Sequence, residues 1–438
     1  MNNKESQKNF WYGVLFLLIS PLLTIWASIK NTSVEHRKWL LILAVTIIGS
    51  GMVWDDIGDG VVHYQNVYAT YSDMEFGTFI SSTASILMLE TVHGTRGDIY
   101  IHTISYFTGS VLGHPPFFWV IVSFVYAFFF ISSAFKVYYW YPHRNTTILF
   151  IVLFALFVCL KNIEGINTVR TWTGMWAMFF GVISYYQTYK IRYLLCVFLL
   201  PPLIHFGYLV IAIPVWIGML VKTHTSVIKY AAVAVFAVSF FITIDEAIFL
   251  EPIQEFEMGE QRTQSYYVED AGNRQWLDFD RFGDRSIHAS YYDIGFTYTF
   301  IMLMAWIMIV YGTYFNKFNF IESKLFTMGL GTYVFSNVTT FLFAVSNRSL
   351  LIATVFVMAA MVMYIKRSFY SENQFNYLST GQPAMISALV ILLLPFFLFK
   401  FADIIQWISI YALGFPFFAW FGDETNMTIR EALGHLLM

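Results

Sequence analysis

The sequence predicts an all-α, polytopic integral membrane protein of about 12–13 transmembrane helices, forming a single membrane domain over residues 1–438. Three observations support this. Hydrophobic residues make up 58% of the chain and charged residues 12%, and the mean hydropathy is +0.60, a balance far from that of soluble domains. The apolar stretches are continuous rather than alternating; a membrane β-barrel would alternate over strands of roughly ten residues. The short polar connections repeatedly carry two or more Lys or Arg, as cytoplasmic loops do. The net charge of −3 implies no nucleic-acid partner. The two cysteines, Cys159 and Cys196, fall inside apolar runs, so neither a disulfide framework nor a metal-ligand spacing is predicted.

The elements follow in order. Lys4 and Lys8 precede an apolar run from Phe10 to Ile25. A signal peptide has the same layout, but the many runs that follow favour a first transmembrane helix near 10–29. Further spans are predicted near 39–54, 116–136, 147–160 and 171–188. The stretch 193–221 is long for one crossing of ~20 residues and short for two. Pro201 and Pro202 interrupt it, so a kinked pair of half-spans is expected at 193–206 and 208–221. Spans near 230–247, 295–315, 325–345, 350–365, 383–400 and 404–421 complete the set, and the tail GDETNMTIREALGHLLM reads as a short cytoplasmic helix.

Basic residues orient these spans. With the N-terminus outside, the cytoplasmic loops hold Lys30, Arg37 and Lys38; Lys136 and Arg144; Lys190 and Arg192; Lys222 and Lys229; Lys317 and Lys324; and Lys366 and Arg367. Lys4 and Lys8 run against this orientation and are outnumbered. Two larger segments then face away from the cytoplasm. The first, 55–115, should contain an amphipathic interfacial helix from Asp98 to Leu112, with Ile101, Ile104, Phe107 and Val111 on one face and His102 and Ser105 elsewhere. The second, 248–294, is acidic and aromatic.

The most informative stretch is KNIEGINTVRTWTGMW, Lys161 to Trp176, set between two apolar runs. Lys161, Glu164, Asn167 and Arg170 therefore lie at or near a membrane surface, where ionisable groups need partners or water and often mark function. A local i,i+3 pair between Lys161 and Glu164 is the plainer alternative for those two. Arg170 opens the next helix beside Trp172 and Trp176, and its planar guanidinium suits bidentate phosphate binding. Arg348, in SNRSLL, occupies a similar span end. Two such arginines would hold a pyrophosphate and stabilise it as a leaving group, unless they are unrelated interfacial residues. Asp59 in DGVVHYQNVY is a candidate general base, and Tyr64 and Tyr68 follow it; a solvated loop cap is the plainer reading. His205, beside the proline break, is the second candidate base or a structural histidine. DFDRFGD, with Asp278, Asp280 and Gly283, resembles a calcium loop faintly but has Phe282 at the third acidic position and no closing Glu. No metal or cofactor is expected, since arginines can neutralise a pyrophosphate.

Taken together, these positions resemble a family. Asp59 with the spaced Tyr64 and Tyr68 follows an early span. Asp98 opens an outer helix, Arg170 starts a span, His205 ends an apolar run after a basic turn, and Arg348 opens a late span. The order is similar to that of the EpsG-like, Wzy-type polysaccharide polymerases of bacterial envelopes, best over 50–215 and thinner afterwards. The family commonly has Glu where RGDIY places Asp98. The resemblance implies a GT-C-like glycosyltransferase of the bacterial inner (cytoplasmic) membrane, multi-pass, with its active site facing the periplasm or exterior. It would join undecaprenyl-pyrophosphate-linked oligosaccharide repeat units into an O-antigen, capsule or exopolysaccharide, without nucleotide sugar. Its partners would be that lipid-linked substrate, the lipid bilayer and a chain-length regulator. Arg170 and Arg348 would bind pyrophosphate, Asp59 or His205 would act as the base, and Tyr64, Tyr68, Asp98 and Glu164 would contact sugar. The rivals are a GT-C transferase using a polyprenyl-monophosphate sugar, and a flippase or exporter of lipid-linked oligosaccharide. A flippase should carry midplane charges on inverted repeats, whereas these charges cluster at span ends.

Overall fold

The computed structural model describes residues 3–30, 33–53, 59–90, 98–142, 146–221, 225–242, 297–368, 382–416 and 427–437. Asp55, Asp56, the segment 248–294 and the DFDRFGD stretch lie outside the described residues. Helices dominate the described chain; outside them only isolated bridges join Met52 to Ile408 and Ser409 to Thr428. Among the described residues four helices are long and apolar enough to cross a membrane: Phe117–Tyr138, Ile148–Thr168, Ala344–Ser368 and Met385–Trp407. Shorter apolar helices are Phe76–Leu87, Tyr208–Leu220, Ser226–Val238 and Tyr298–Val310. The chain divides into two compact units, one of Met1–Lys136, Lys161–Phe206 and Phe401–Met438, the other of Val137–Leu160 and Gly207–Lys400.

The first unit opens with α1 (Asn3–Phe16), α2 (Pro21–Lys30) and α3 (Val34–Ser50). The single span expected at 10–29 is instead two helices folded back on each other. Pro21 lacks an N–H and disfavours helical geometry at Ser20, and the Ser20 hydroxyl takes the Leu22 N–H at 3.2 Å. Thr24 then donates to Gly13 O at 2.9 Å across the hairpin. Ser6 Oγ meets His36 Nδ1 at 3.0 Å, and Phe10 stacks on His36 with ring centroids 4.8 Å apart. α1 therefore runs parallel to α3, and Lys4 and Lys8 join Lys30, Arg37 and Lys38 at one end. Their apparent conflict with the other basic loops disappears.

At the opposite end of α3, Val53 N donates to Trp407 O at 2.8 Å and Ile429 N to Ile408 O at 3.0 Å. Ile48, Met52, Ile408 and Ala412 form a buried apolar cluster there. The terminal helix Ile429–Leu437 starts at this end, its first turn capped by Glu431 N to Thr428 Oγ1 at 3.1 Å and Thr428 N to Glu431 Oε2 at 2.7 Å. The expected cytoplasmic tail thus begins opposite the basic end, and the span expected at 404–421 is broken: the helix Leu394–Trp407 stops, and within the described part of that span one short helix, Ile410–Leu413, follows.

Next come α4 (Asp59–Asn66), α5 (Phe76–Leu87) and α6 (Ile99–Tyr106). α4 and α6 each run into a single π-helical turn, Val67–Tyr71 and Phe107–Val111. The expected amphipathic face of 98–112 is partly reversed. Ile101 and Ile104 are buried, but so are His102 and Ser105, while Phe107 and Val111 are exposed. The wider π turn that begins at Phe107 carries Val111 off the α-helical register. His102 is held inside by two partners, Tyr71 OH at 2.8 Å from Nδ1 and Phe79 O at 3.2 Å from Nε2.

α7 (Phe117–Tyr138) and α8 (Thr171–Thr188) form the centre of the unit. α8 is buried along most of its length because it packs small residues against its neighbours: Gly181 faces Cys196 and Val197 of the helix Arg192–Phe198. Lys136, at the far end of α7, donates to Gln187 at 2.6 Å and lies over the Tyr193 ring; Lys38 is within its electrostatic reach. The start of α7 instead reaches α4, where Trp119 and Tyr64 rings lie 5.9 Å apart. The unit therefore has a basic end and, about 25 Å away along α7 at 1.5 Å per residue, an end that carries Asp59. The expected half-spans at 193–221 are seen as the short helices Arg192–Phe198, Leu200–Ile204, Tyr208–Ile211 and Ile213–Leu220, with His205 at a break.

In the second unit, the helix Phe343–Ser368 packs against Phe320–Val338 through Gly329, which sits against Ala353 O and Val357. Glu322 pairs with Arg367 through two bonds of 2.9 and 2.8 Å and accepts from Tyr141 OH at 3.0 Å. Lys229 donates to Tyr314 O at 3.0 Å, Lys324 to Gly218 O at 2.9 Å and Lys366 to Tyr138 O. Basic residues of the loops read as cytoplasmic thus serve as caps for helix C-terminal carbonyls, where a cation complements the helix dipole.

Candidate functional site

The site grows from three chain segments of the first unit that meet at its carboxylate end. Asp98 precedes α6 with an extended backbone, and its side chain makes no capping bond to that helix. It is 0% exposed and paired with Arg170 Nη1. Asp98 Oδ1 accepts Phe206 N at 2.7 Å and lies 3.4 Å from His205 Nδ1. Pro201 and Pro202 start the short helix Leu200–Ile204, and His205 follows its last residue with an extended backbone, its N–H donating to Pro201 O at 2.9 Å. Arg170, 1% exposed, is the first residue before α8. Its Nη2 lies 3.4 Å from Asp59 Oδ2, and the Asp59 side chain is 38% exposed.

Asp59 reaches Arg170 because α4 sits tightly on the 3-10 turn Ile163–Thr168. Gly60 allows this. A Cβ there would stand 2.5 Å from Asn167 O and 2.6 Å from Trp119. One guanidinium therefore bridges a buried carboxylate and a half-open one, while the buried carboxylate also orders a histidine. A buried ion is tolerated when such partners surround it.

Tyr64 on α4 and Tyr68 in the π turn after it follow Asp59 along the chain. Their hydroxyls are 3.0 Å apart and their rings meet edge to face at 5.3 Å. Tyr64 also lies against Phe118 and Trp119, and burial together with the Tyr68 hydrogen bond raises its phenol well above the ordinary range. Tyr68 is exposed. This makes an aromatic wall with one wet edge, of the kind that packs on pyranose CH groups.

Asp59, Asp98, Arg170 and His205 are thus brought together, with Tyr64 and Tyr68 adjoining. Asp98 differs from its expected sugar contact: it is buried behind Arg170 and acts as the hub. Glu164 and Lys161 form the local i,i+3 pair at 2.9 Å, with Lys161 over the Trp172 ring at 5.1 Å. Arg348 belongs to the second unit, in Phe343–Ser368, close enough to Tyr208 to act on it electrostatically. Among the described residues no group of three or more His, Cys, Asp or Glu side chains could hold a metal ion. Sequence reasoning missed the Phe206 amide, which has no side-chain signature. Nor does the sequence mark Tyr126 and Trp176 as anchors of the loop before Arg170, which they hold through Lys161 O and Asn162 O.

The chain matches no protein-family model, no curated protein and no solved structure.

Proposed function

We propose that the chain is a polysaccharide polymerase: a GT-C-like membrane glycosyltransferase that joins oligosaccharide repeat units carried on undecaprenyl pyrophosphate. One observation carries this reading. The Arg170 guanidinium is buried and held at Nη1 by Asp98, while its Nη2 faces the half-open Asp59 at 3.4 Å. An incoming pyrophosphate can replace Asp59 on Nη2 without disturbing the Asp98 pair, and a charge-assisted contact of this kind stabilises a departing phosphate. The displaced Asp59 carboxylate then takes a proton.

In this reading the acceptor hydroxyl attacks the anomeric carbon of the growing chain. The bond from that carbon to the pyrophosphate oxygen breaks, undecaprenyl pyrophosphate leaves with the bonding electrons, and Asp59 receives the hydroxyl proton. Of the two candidate bases, exposure favours Asp59, at 38% against 4% for His205. His205 would orient Asp98. Tyr64 and Tyr68 would hold sugar beside Asp59. The separation of the basic end from the Asp59 end supports a site on the side away from the cytoplasm, in a multi-pass protein of the bacterial inner membrane.

The test is purified full-length protein in lipid, given undecaprenyl-pyrophosphate-linked repeat units. A ladder of repeat lengths is expected, with its low-pH limb several units below neutrality, as a carboxylate base requires. A single addition from a polyprenyl-monophosphate sugar, or translocation without bond formation, would overturn the reading. An unchanged rate in Asp59→Asn would transfer the role of base to His205.

A further inference from the structure

Val169, immediately before Arg170, holds φ 53 and ψ −50. Thr168 O accepts the Arg170 N–H across it, which makes a three-residue γ-turn of the positive-φ kind, the rarer and more strained form. A β-branched side chain at positive φ is an outlier. Such strain persists only where the surroundings over-determine it, and it concentrates at functional sites.

Here the surroundings do so from both sides. Upstream, Tyr126 OH is shared between Lys161 O at 3.0 Å and Asn162 O at 2.5 Å, and Trp176 Nε1 donates to Lys161 O at 3.2 Å. Asn162 Oδ1 takes Glu164 N at 2.9 Å. Gly165 lies so close to the Tyr126 ring that no Cβ would fit. Thr168 Oγ1 donates to Gly165 O at 2.9 Å, and Val169 N to Ile166 O at 2.8 Å. Downstream, Thr173 Oγ1 donates to Val169 O at 2.7 Å and Gly174 N to Arg170 O at 2.9 Å. The Val169 side chain is itself fully buried.

We propose that Val169 is a positioning residue, whose enforced γ-turn sets the direction of Arg170 toward Asp98 and the open side beside Asp59. The turn does this without touching substrate. It spends no flexible residue at the hinge, so Arg170 meets a diphosphate already aimed. The proposal rests on the reading of Arg170 as a diphosphate ligand.

Two substitutions in the full chain separate strain from packing. Val169→Gly removes the whole side chain but tolerates positive φ; Val169→Ala keeps a Cβ and the strain. If burial alone mattered, Val169→Gly would melt below Val169→Ala. The strained turn predicts the reverse order, with Val169→Gly at or above Val169→Ala. Positioning further predicts that Val169→Gly binds a short-chain polyprenyl diphosphate at least tenfold more weakly than Val169→Ala, although it is no less stable. Val169→Gly melting below Val169→Ala overturns the strain, and equal affinities overturn the positioning. Wild-type protein without diphosphate affinity refutes the proposed function and the positioning with it; the melting order, read without ligand, still decides the turn.

Discussion

Asp98→Asn and Asp59→Asn remove the same charge from two sides of one guanidinium, and the structure assigns them opposite consequences. Asp98 and Arg170 are 0% and 1% exposed. Breaking a buried pair by neutralising one partner costs about 3–5 kcal/mol, because the remaining ion stays desolvated. The lower end applies here for two reasons: Asp59 still faces Arg170, and an amide oxygen can still accept the Phe206 N–H. The amide nitrogen, however, would be a donor turned toward a donor. A loss of about 3 kcal/mol corresponds to a fall of about 6–12 °C in melting midpoint for a unit of roughly 200 residues. Asp59 is more than a third exposed and 3.4 Å away, so solvent screening reduces its pair to about 0–1 kcal/mol, or no more than a few degrees. The assay is thermal unfolding of purified protein in detergent, followed by polymer formation in lipid. Asp98→Asn should lose stability and activity together; Asp59→Asn should keep stability and lose turnover. Adding Arg170→Gln to Asp98→Asn should recover part of the lost stability, since both charges are then absent. Wild-type melting of Asp98→Asn would refute the buried-hub assignment, and a collapse of Asp59→Asn would refute the open role of that carboxylate.

Arg170→Lys keeps the charge but loses the planar fork; polymer should fall at least tenfold, about 1.4 kcal/mol in transition-state binding, while the protein level in the membrane stays near normal, and full activity would remove Arg170 from the site. Cysteines replacing Glu75 and His435 should react with an impermeant thiol reagent in intact cells, and one replacing Lys8 only after lysis; the opposite pattern would reverse the orientation. Burial lowers the pKa of His102, against a smaller opposing effect of the Phe79 carbonyl. A histidine whose folded pKa lies below its unfolded value binds fewer protons when folded, so its contribution is complete above about 6.5 and is lost as pH falls. The melting midpoint should therefore drop on acidification below about pH 6.5, and less steeply in His102→Gln; identical slopes would assign the effect to other groups.

The composition and the continuous apolar runs determined an all-helical chain with membrane-length segments, because lipid leaves the backbone few alternatives. They also exposed the site residues. Against apolar surroundings a charge must be partnered or functional, so Asp59, Asp98, Arg170 and His205 stood out individually. The partners themselves were illegible. Asp98 lies 72 residues from Arg170 and 107 from His205, and Asp59 lies 111 from Arg170; hydropathy shows that a charge needs a counter-ion, not which one packing will deliver. The buried hub could therefore pass for a sugar contact. Register was equally hidden. A π turn starting at Phe107 moved Val111 off the face that a 3.6-residue period assigns it, and Ser20–Pro21 folded one apparent span into two helices. The γ-turn at Val169 left no mark in the sequence at all, since valine is a residue that local propensity would never place there. The long-range bonds from Tyr126 and Trp176 that hold the loop before it exist once the helices have packed.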